Sequence, residues 1–208
     1  PGVNWGYEAA QQANDSPITS GNVGAGMGAT VGKLLGPARA TKGGLGSARI
    51  DLDNGVIVSA LVAVNAVGEI VDTVSNTVVA GIRANDVGQY DSAIDVVLGN
   101  TAKVPVAGTN TTLGLIATNA NLSKAQLKKV AEMAHDGMAR AIRPIHTQFD
   151  GDTVFAVSMP WSEVETTPDA QLNSIGIAGA KALEFAIVDA VRSAKSVGDV
   201  VALSLIHI

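Results

Sequence analysis

The feature that most constrains this sequence is an abrupt change from polar to apolar residues near its centre. Residues 108–119 read GTNTTLGLIATN, so a polar loop leads through two adjacent threonines into a short apolar run. Such a run, bounded by polar residues, predicts a buried strand whose first residues lie at its exposed mouth. The hydroxyl of Thr111 would be well placed there as a nucleophile, although threonine also favours strand edges by propensity alone. Residues 110–112 and 121–123 also match glycosylation sequons, a pattern that often arises by chance.

Composition indicates a globular domain with an aliphatic core. Of the 208 residues, 47% are hydrophobic, 16% charged and only 3% aromatic, so alanine, valine, isoleucine and leucine must form the core. A net charge of -5 argues against binding to nucleic acid or to an anionic membrane. No stretch is apolar enough over sufficient length to span a bilayer. The chain has no cysteine, which excludes disulfides, thiol catalysis and cysteine-ligated metal.

Both termini suggest a piece of a larger protein. The chain begins at Pro1 without a methionine and finishes with the apolar residues 203–208. We therefore expect residues 1–208 to form a single domain, the C-terminal part of a larger precursor. Whether the last six residues are native stays open.

A glycine-rich segment covers residues 21–33, which read GNVGAGMGATVGK. This glycine density predicts tight turns or a close approach of the backbone to another group. A phosphate-binding loop would need glycine at Met27 and serine or threonine at Leu34, and the dinucleotide pattern GxGxxG also fails. Lys33 is a lone cation between apolar flanks, either solvated or directed into a site.

A β-hairpin is predicted around Asn54-Gly55, which lies between two apolar-rich runs. The second strand, residues 56–64, is almost entirely apolar, which favours burial of both of its faces. It ends at Asn65, and a further short strand is expected at residues 69–73. Asn65 would either form a turn or present its amide to a site.

The next segment, residues 78–110, lacks a clear hydrophobic period. We expect a long solvent-facing connection there, with a short helix near residues 91–98. Connections of this length without regular structure are often functional or processed.

Two helices are predicted in the C-terminal half. Ser123 and Gln126 form a capping box ahead of a helix over residues 124–143, which Pro144 would end. A second long helix is expected over residues 173–194. Strands followed by these helices indicate an α/β layered fold.

Two carboxylates lie close together before the last predicted strand, residues 154–157. Asp150 and Asp152 flank a glycine in a predicted turn. They could bind a hard cation, orient a lysine or simply shape the turn, although a cation needs more oxygen ligands than this motif offers. The nearby His146 is more typical of a structural or surface residue than of a base.

Four stretches, taken together, resemble one family. They are GAGMGATVGK (24–33), VAVNAVGEIVD (62–72), GTNTTLGLIATNANLSKAQL (108–127) and HTQFDGDTVFAV (146–157). Their order resembles that of the L-aminopeptidase/D-esterase family of self-processing hydrolases, which includes β-peptidyl aminopeptidases and the nylon-oligomer hydrolase. The Asn-Thr-Thr junction is most similar to the nylon-oligomer hydrolase branch. The resemblance covers residues 1–194, and an N-terminal part of the family pattern is missing before them.

The resemblance implies a four-layer α-β-β-α sandwich of N-terminal-nucleophile-hydrolase type, present here in part. It implies self-cleavage between Asn110 and Thr111, which would give segments 1–110 and 111–208. Thr111 matches the nucleophile, and Lys33 and Asn65 match residues of the site. The supporting carboxylates of the site match Asp150 and Asp152. No cofactor is implied.

The chemistry that the resemblance implies centres on Thr111 after cleavage. A free Thr111 amine, with a reference pKa of about 7.7–8.0, can accept the proton of its own hydroxyl near neutral pH. Asn65 would donate its amide to the developing oxyanion. A Lys33 ammonium would keep the amine neutral, with the two carboxylates orienting that lysine.

Two functions therefore compete. The first is an amide-bond hydrolase acting on small peptides or peptide-like oligomers, assembled as a homo-oligomer of processed heterodimers, with a cytoplasmic location favoured. The second is a non-catalytic assembly or binding domain that has kept the fold.

Overall fold

The computed structural model describes residues 2–53, 55–86, 88–102, 109–160 and 168–203. Its strands are β1 (Thr30–Val31), β2 (Thr41–Lys42), β3 (Gly44–Asp51), β4 (Ile57–Val64), β5 (Glu69–Asp72), β6 (Thr77–Ala80), β7 (Ile82–Arg83), β8 (Tyr90–Asp91), β9 (Leu113–Thr118), β10 (Ile142–Arg143) and β11 (Thr153–Ser158). The α-helices are α1 (Val3–Gln11), α2 (Ala93–Leu98), α3 (Lys124–Ala141) and α4 (Pro168–Arg192), and short 3-10 helices cover Gly24–Gly26 and Pro37–Arg39.

The central sheet has four strands in the order β11-β9-β4-β3. The predicted hairpin is confirmed as β3 and β4, which pair antiparallel from Gly44 opposite Val64 to Asp51 opposite Ile57, although Asn54 in its turn lies outside the described residues. The central strand β9 pairs antiparallel with β4 and parallel with β11. A three-stranded sheet, β10-β5-β6, and two pairs, β1-β2 and β7-β8, complete the strand pairing of the described residues.

The two long helices pack together on one face of the central sheet. Glycine allows this packing, because a Cβ at Gly46 of β3 would lie 2.1 Å from the carbonyl oxygen of Ala186 in α4. At the contact between the helices, a Cβ at Gly137 would lie equally close, at 2.1 Å, to the carbonyl oxygen of Ala180. The helix layer therefore rests almost directly on backbone, and the core needs few large side chains.

The two faces of the central sheet differ in exposure. Side chains facing the helices, such as Val58 and Ile116, are fully buried. On the opposite face Leu113 and Phe155 are 45% and 59% exposed. Burial of both faces, expected for all of β4, is therefore wrong except at its end, residues 62–64, where every residue is buried. The α/β class is confirmed, with the two long helices packed on one face of the central sheet.

The predicted start of α3 is confirmed and its predicted end is wrong. Ser123 accepts the Gln126 amide while the Gln126 side chain accepts the Ser123 amide, which is the predicted capping box. The helix ends at Ala141 rather than residue 143, because Ile142 pairs with Ile70 of β5. Proline after Arg143 also disfavours a helical conformation at that residue. The second long helix, α4, spans residues 168–192 instead of 173–194.

The predicted solvent-facing connection over residues 78–110 is wrong in its first part. Strands β6, β7 and β8 lie there or reach into it, and Ala80 and Ile82 are fully buried. Strands of two to four residues are too short to show the alternation of apolar and polar residues that marks a strand, so the sequence does not predict them. The predicted short helix is confirmed as α2, capped by Ser92, while residues 87 and 103–108 lie outside the described residues.

Within the described ranges, no helix combines the length and the apolar character needed to cross a bilayer.

Candidate active site

The candidate site forms where the central strands share one edge. Because β4 and β9 are antiparallel, the end of β4, followed by Asn65, lies beside Thr111, which precedes β9. The strand β11 is parallel to β9, so Asp150 and Asp152 before it reach the same edge. A cleft of about 420 Å³ opens there, lined by Thr111, Asn65 and Lys33 among others.

The two threonines differ in their surroundings. Thr111 is half-buried and lines the cleft, with its amide donating to the Asn65 carbonyl at 3.0 Å and its hydroxyl donating to the Asn110 carbonyl at 2.6 Å. Thr112 is fully buried, and its hydroxyl has no hydrogen-bond partner among the described residues. Of the two hydroxyls, therefore, that of Thr111 reaches the cleft.

Lys33 enters the site from a glycine turn. Gly32 has a φ of 69°, and a Cβ there would lie 2.1 Å from the carbonyl carbon of Gly81, so glycine is required. The Lys33 ammonium donates to Asn65 Oδ1 at 2.7 Å, to the Asn65 carbonyl at 3.1 Å and to the Thr109 carbonyl at 3.2 Å. Burial lowers the pKa of Lys33 to about 8, against the opposing effect of the Asp150 charge. The alternative of a freely solvated surface lysine does not fit these contacts.

Asn65 connects the walls of the cleft. Its Oδ1 accepts the Lys33 ammonium and the Thr30 amide, the latter at 3.1 Å, and its Nδ2 donates to the Thr109 carbonyl at 2.9 Å. Its backbone carbonyl accepts both the Lys33 ammonium and the Thr111 amide. Asn65 thus holds the lysine and the candidate nucleophile against the same short stretch of chain.

The two carboxylates bind backbone and neighbouring side chains instead of the lysine. Asp150 accepts the Thr147 hydroxyl at 2.6 Å and the Val67 amide at 3.4 Å. Asp152 accepts the Thr112 amide at 2.8 Å. Within the described ranges neither forms an ion pair with Lys33, so Asp150 acts on its charge through space.

Two features of the site lack a clear signal in the sequence. The first is the amide of Gly151, which donates to the Asn110 carbonyl at 2.9 Å. The second is His146, whose Nδ1 lies 3.0 Å from Asp152 and whose Nε2 lies 3.2 Å from His135. A backbone donor cannot be recognised from residue types, because almost every residue carries one. The contact of His146 with His135 depends on how α3 packs against the loop that carries His146.

Other interpretations of the same motifs find less support. Asn110 is only 1% exposed, which is unfavourable for glycosylation of the folded chain. The described part of the chain contains no group of three or more His, Cys, Asp or Glu residues that could hold a metal ion.

The cleft thus brings a strand-edge threonine, a lysine and an asparagine together on an α/β scaffold. The chain belongs to peptidase family S58, whose sequence pattern matches residues 3–202. The family resemblance read from the four motifs is thereby confirmed.

Relatives and solved structures agree with this assignment. The chain is 36% identical over 204 residues to an uncharacterized aminopeptidase of Mycobacterium leprae, covering 93% of this chain and 54% of that protein. It is 34% identical over 184 residues to the 6-aminohexanoate-oligomer endohydrolase of Paenarthrobacter ureafaciens, covering 85% and 50%. The chain thus spans about half the length of the curated relatives it matches.

Among solved structures, a Burkholderia sp. beta-aminopeptidase matches with a TM-score of 0.67 and 25% identity, over 97% of this chain and 55% of that one. The L-aminopeptidase D-Ala-esterase/amidase of Ochrobactrum anthropi, described as a variant of the Ntn hydrolase fold, matches with a TM-score of 0.62 and 21% identity, over 92% and 50%. The chain therefore has the fold of the Ntn hydrolases, as expected from its motifs.

Proposed function

We propose that this chain is the part of an amide-bond hydrolase that carries its nucleophile, and that cleavage after Asn110 exposes Thr111 for catalysis. The observation that carries the proposal is the position of Thr111. Its hydroxyl lines the cleft 2.6 Å from the carbonyl oxygen of the residue before it, and Lys33 and Asn65 line the same cleft. Membership of a peptidase family supports the same reaction class.

The first step is rearrangement of the Asn110–Thr111 peptide bond. Thr111 Oγ1 forms a bond to the Asn110 carbonyl carbon, the bond from that carbon to the Thr111 nitrogen breaks, and the hydroxyl proton ends on this nitrogen. Water then hydrolyses the resulting ester, which leaves an Asn110 carboxylate and restores the Thr111 hydroxyl beside a free amine. The products are segments 1–110 and 111–208.

The second reaction is hydrolysis of a substrate amide. The neutral Thr111 amine takes the proton of its own hydroxyl, which attacks the substrate carbonyl and forms an acyl-enzyme. The charged Lys33 keeps that amine neutral by raising the cost of a second positive charge nearby. Asn65 Nδ2, which holds the Thr109 carbonyl in the uncut chain, becomes available to the substrate oxyanion once the cut end moves away.

The cleft suits an unbranched amide substrate. Small apolar side chains, Ala25, Ala29 and Ala63, line it together with Leu113, while its polar groups cluster around Thr111. This combination fits a small peptide or a peptide-like oligomer with an aliphatic chain. We further propose that the processed heterodimer assembles as a homo-oligomer and needs no cofactor.

The test is the intact mass of the full protein on a denaturing gel and by mass spectrometry. We expect two segments, the second beginning at Thr111, and a single uncut chain for Thr111→Ala. Thr112→Ala is the matched control, because it removes the neighbouring hydroxyl, and it should cut at the same bond. An uncut wild-type chain that hydrolyses amides would refute the assignment of Thr111, and an uncut, inactive and folded chain would favour the non-catalytic binding domain.

A further inference from the structure

Gly151 lies beside both groups that react in the proposed self-cleavage, the Asn110 carbonyl and the Thr111 hydroxyl. Its backbone amide donates to the carbonyl oxygen of Asn110 at 2.9 Å. A Cβ placed on Gly151 would lie 2.7 Å from Thr111 Oγ1, closer than real Cβ atoms approach such a group. Two independent contacts of one residue therefore converge on the scissile carbonyl and the attacking hydroxyl.

We propose that Gly151 is a catalytic residue of self-cleavage. Its amide stabilises the negative charge that develops on the Asn110 oxygen, and its missing side chain leaves the Thr111 hydroxyl room to attack. This inference rests on the proposed function and adds an oxyanion donor that differs from the Asn65 amide.

The amide is well placed for this role. When Thr111 Oγ1 bonds to the Asn110 carbon, the electron pair of the carbonyl moves onto its oxygen, and collapse of this intermediate expels the Thr111 nitrogen, which takes up the hydroxyl proton. Donors within about 2.7–3.1 Å of that oxygen stabilise the charged intermediate. Asn110 is 1% exposed, so little water competes with the bond and the interaction acts in a low dielectric.

The neighbours of Gly151 hold the amide in position. Asp150 is fixed by the Thr147 hydroxyl, and Asp152 is fixed by the amide of Thr112. Asp152 is thus anchored beside the scissile bond, and Asp150 is anchored within its own loop. In this arrangement they position the donor between them, in place of the lysine-orienting role inferred from the sequence.

The requirement for glycine here is spatial. The φ angle of Gly151 lies outside the left-handed region, so alanine could adopt the same backbone conformation. The obstacle is the Thr111 hydroxyl, which would have to rotate away from an alanine methyl. Gly151→Ala should therefore disturb the nucleophile while keeping the amide donor.

Two substitutions separate the donor from the space. Incorporation of glycolic acid at position 151 during cell-free translation replaces the amide N–H by an ester oxygen and adds no atoms to the side chain. Gly151→Ala keeps the N–H and adds the methyl group. Gly99, which follows α2, offers matched controls for both changes. Its amide donates to the carbonyl oxygen of Asp95 at 2.7 Å, and a Cβ on Gly99 would lie 2.9 Å from that same oxygen.

The readout is the rate of cleavage after Asn110, followed by intact mass after translation, with folding checked by circular dichroism. We expect the ester at position 151 to slow cleavage by about 10²–10³-fold, the usual effect of losing one oxyanion donor. The two changes at Gly99 should leave the rate near that of the wild type. The effect of Gly151→Ala should be smaller in a Thr111→Ser background, because serine lacks the methyl group that restricts rotation of the hydroxyl.

The outcomes distinguish the two proposals. If wild type cuts after Asn110 and the ester at position 151 cuts as fast as the ester at Gly99, the donor role is overturned and the proposed function stands. If the protein with the ester at position 151 does not fold, Gly151→Ala is the deciding variant. The inference is overturned if Gly151→Ala changes the cleavage rate by the same factor with threonine and with serine at position 111. A wild-type chain that never cuts overturns both.

Discussion

Replacement of Lys33 by methionine tests the proposed division of labour between the lysine and the Thr111 amine. Burial lowers the pKa of Lys33 from 10.5 to about 8, so the lysine titrates within the working range of an enzyme. At neutral pH this shift raises the neutral fraction of the side chain by about 300-fold, to roughly a tenth. An ordinary lysine would stay charged throughout that range.

The sign of the pH dependence follows from the two roles. The amine must be neutral, so activity rises with pH as the amine loses its proton, and a charged Lys33 shifts that rise below the reference pKa of about 7.7–8.0. Lys33→Met removes this charge, so its activity should rise at higher pH than that of the wild type, near the reference pKa of the amine. Above about pH 8 Lys33 loses its own charge while the amine is already neutral, so the two profiles should converge there.

The assay is kcat/KM on a chromogenic amino-acid amide from about pH 6 to about pH 10, with protein that has already been cut. Lys42→Met is the matched control, because burial lowers the pKa of Lys42 to about 8 as well. The Lys42 ammonium, however, binds three backbone carbonyls, those of Gly26, Ala29 and Gly43, so its loss should leave the shape of the profile unchanged. A rise in activity at the same pH in Lys33→Met as in the wild type, or an upward shift of that rise in Lys42→Met, would refute the reasoning.

Three further predictions concern stability and turnover. Thr112→Val should raise the free energy of unfolding by about 1–3 kcal/mol, because it removes a buried hydroxyl that has no hydrogen-bond partner among the described residues. Chemical denaturation measures this free energy, and a lower value than that of the wild type would contradict the prediction. Asn65→Ala should lower turnover by about 10²–10³-fold, and wild-type turnover in this variant would exclude an oxyanion role for its amide. The pKa of Lys42 is about 8 in the folded chain and 10.5 in the unfolded chain. Between about pH 8 and about pH 10 the unfolded chain therefore binds more protons than the folded chain, so the free energy of unfolding should rise with pH. Urea titrations at both ends of this window should find a smaller rise in Lys42→Met, and an unchanged rise would contradict the prediction.

The sequence alone determined the local elements and the family. The Ser123 capping box begins α3 because both of its hydrogen bonds join residues three apart in the chain. The Asn-Gly turn between apolar runs likewise predicts the hairpin of β3 and β4 from adjacent residues. The motifs that contain Lys33, Asn65 and Thr111 match one family in their order, and the structure brings the three residues together in one cleft.

Only the tertiary structure decided which groups meet across long sequence distances. Helix α3 ends early because Ile142 pairs with a strand more than seventy residues before it, a partner that no local pattern encodes. Asp152 binds the Thr112 amide, and the Gly151 amide binds the Asn110 carbonyl, because β11 lies parallel to β9. Every residue except proline carries the same backbone donor and acceptor, so residue types do not reveal which of these groups will meet. Their pairing depends on strand order and register, which the packing of the whole domain sets.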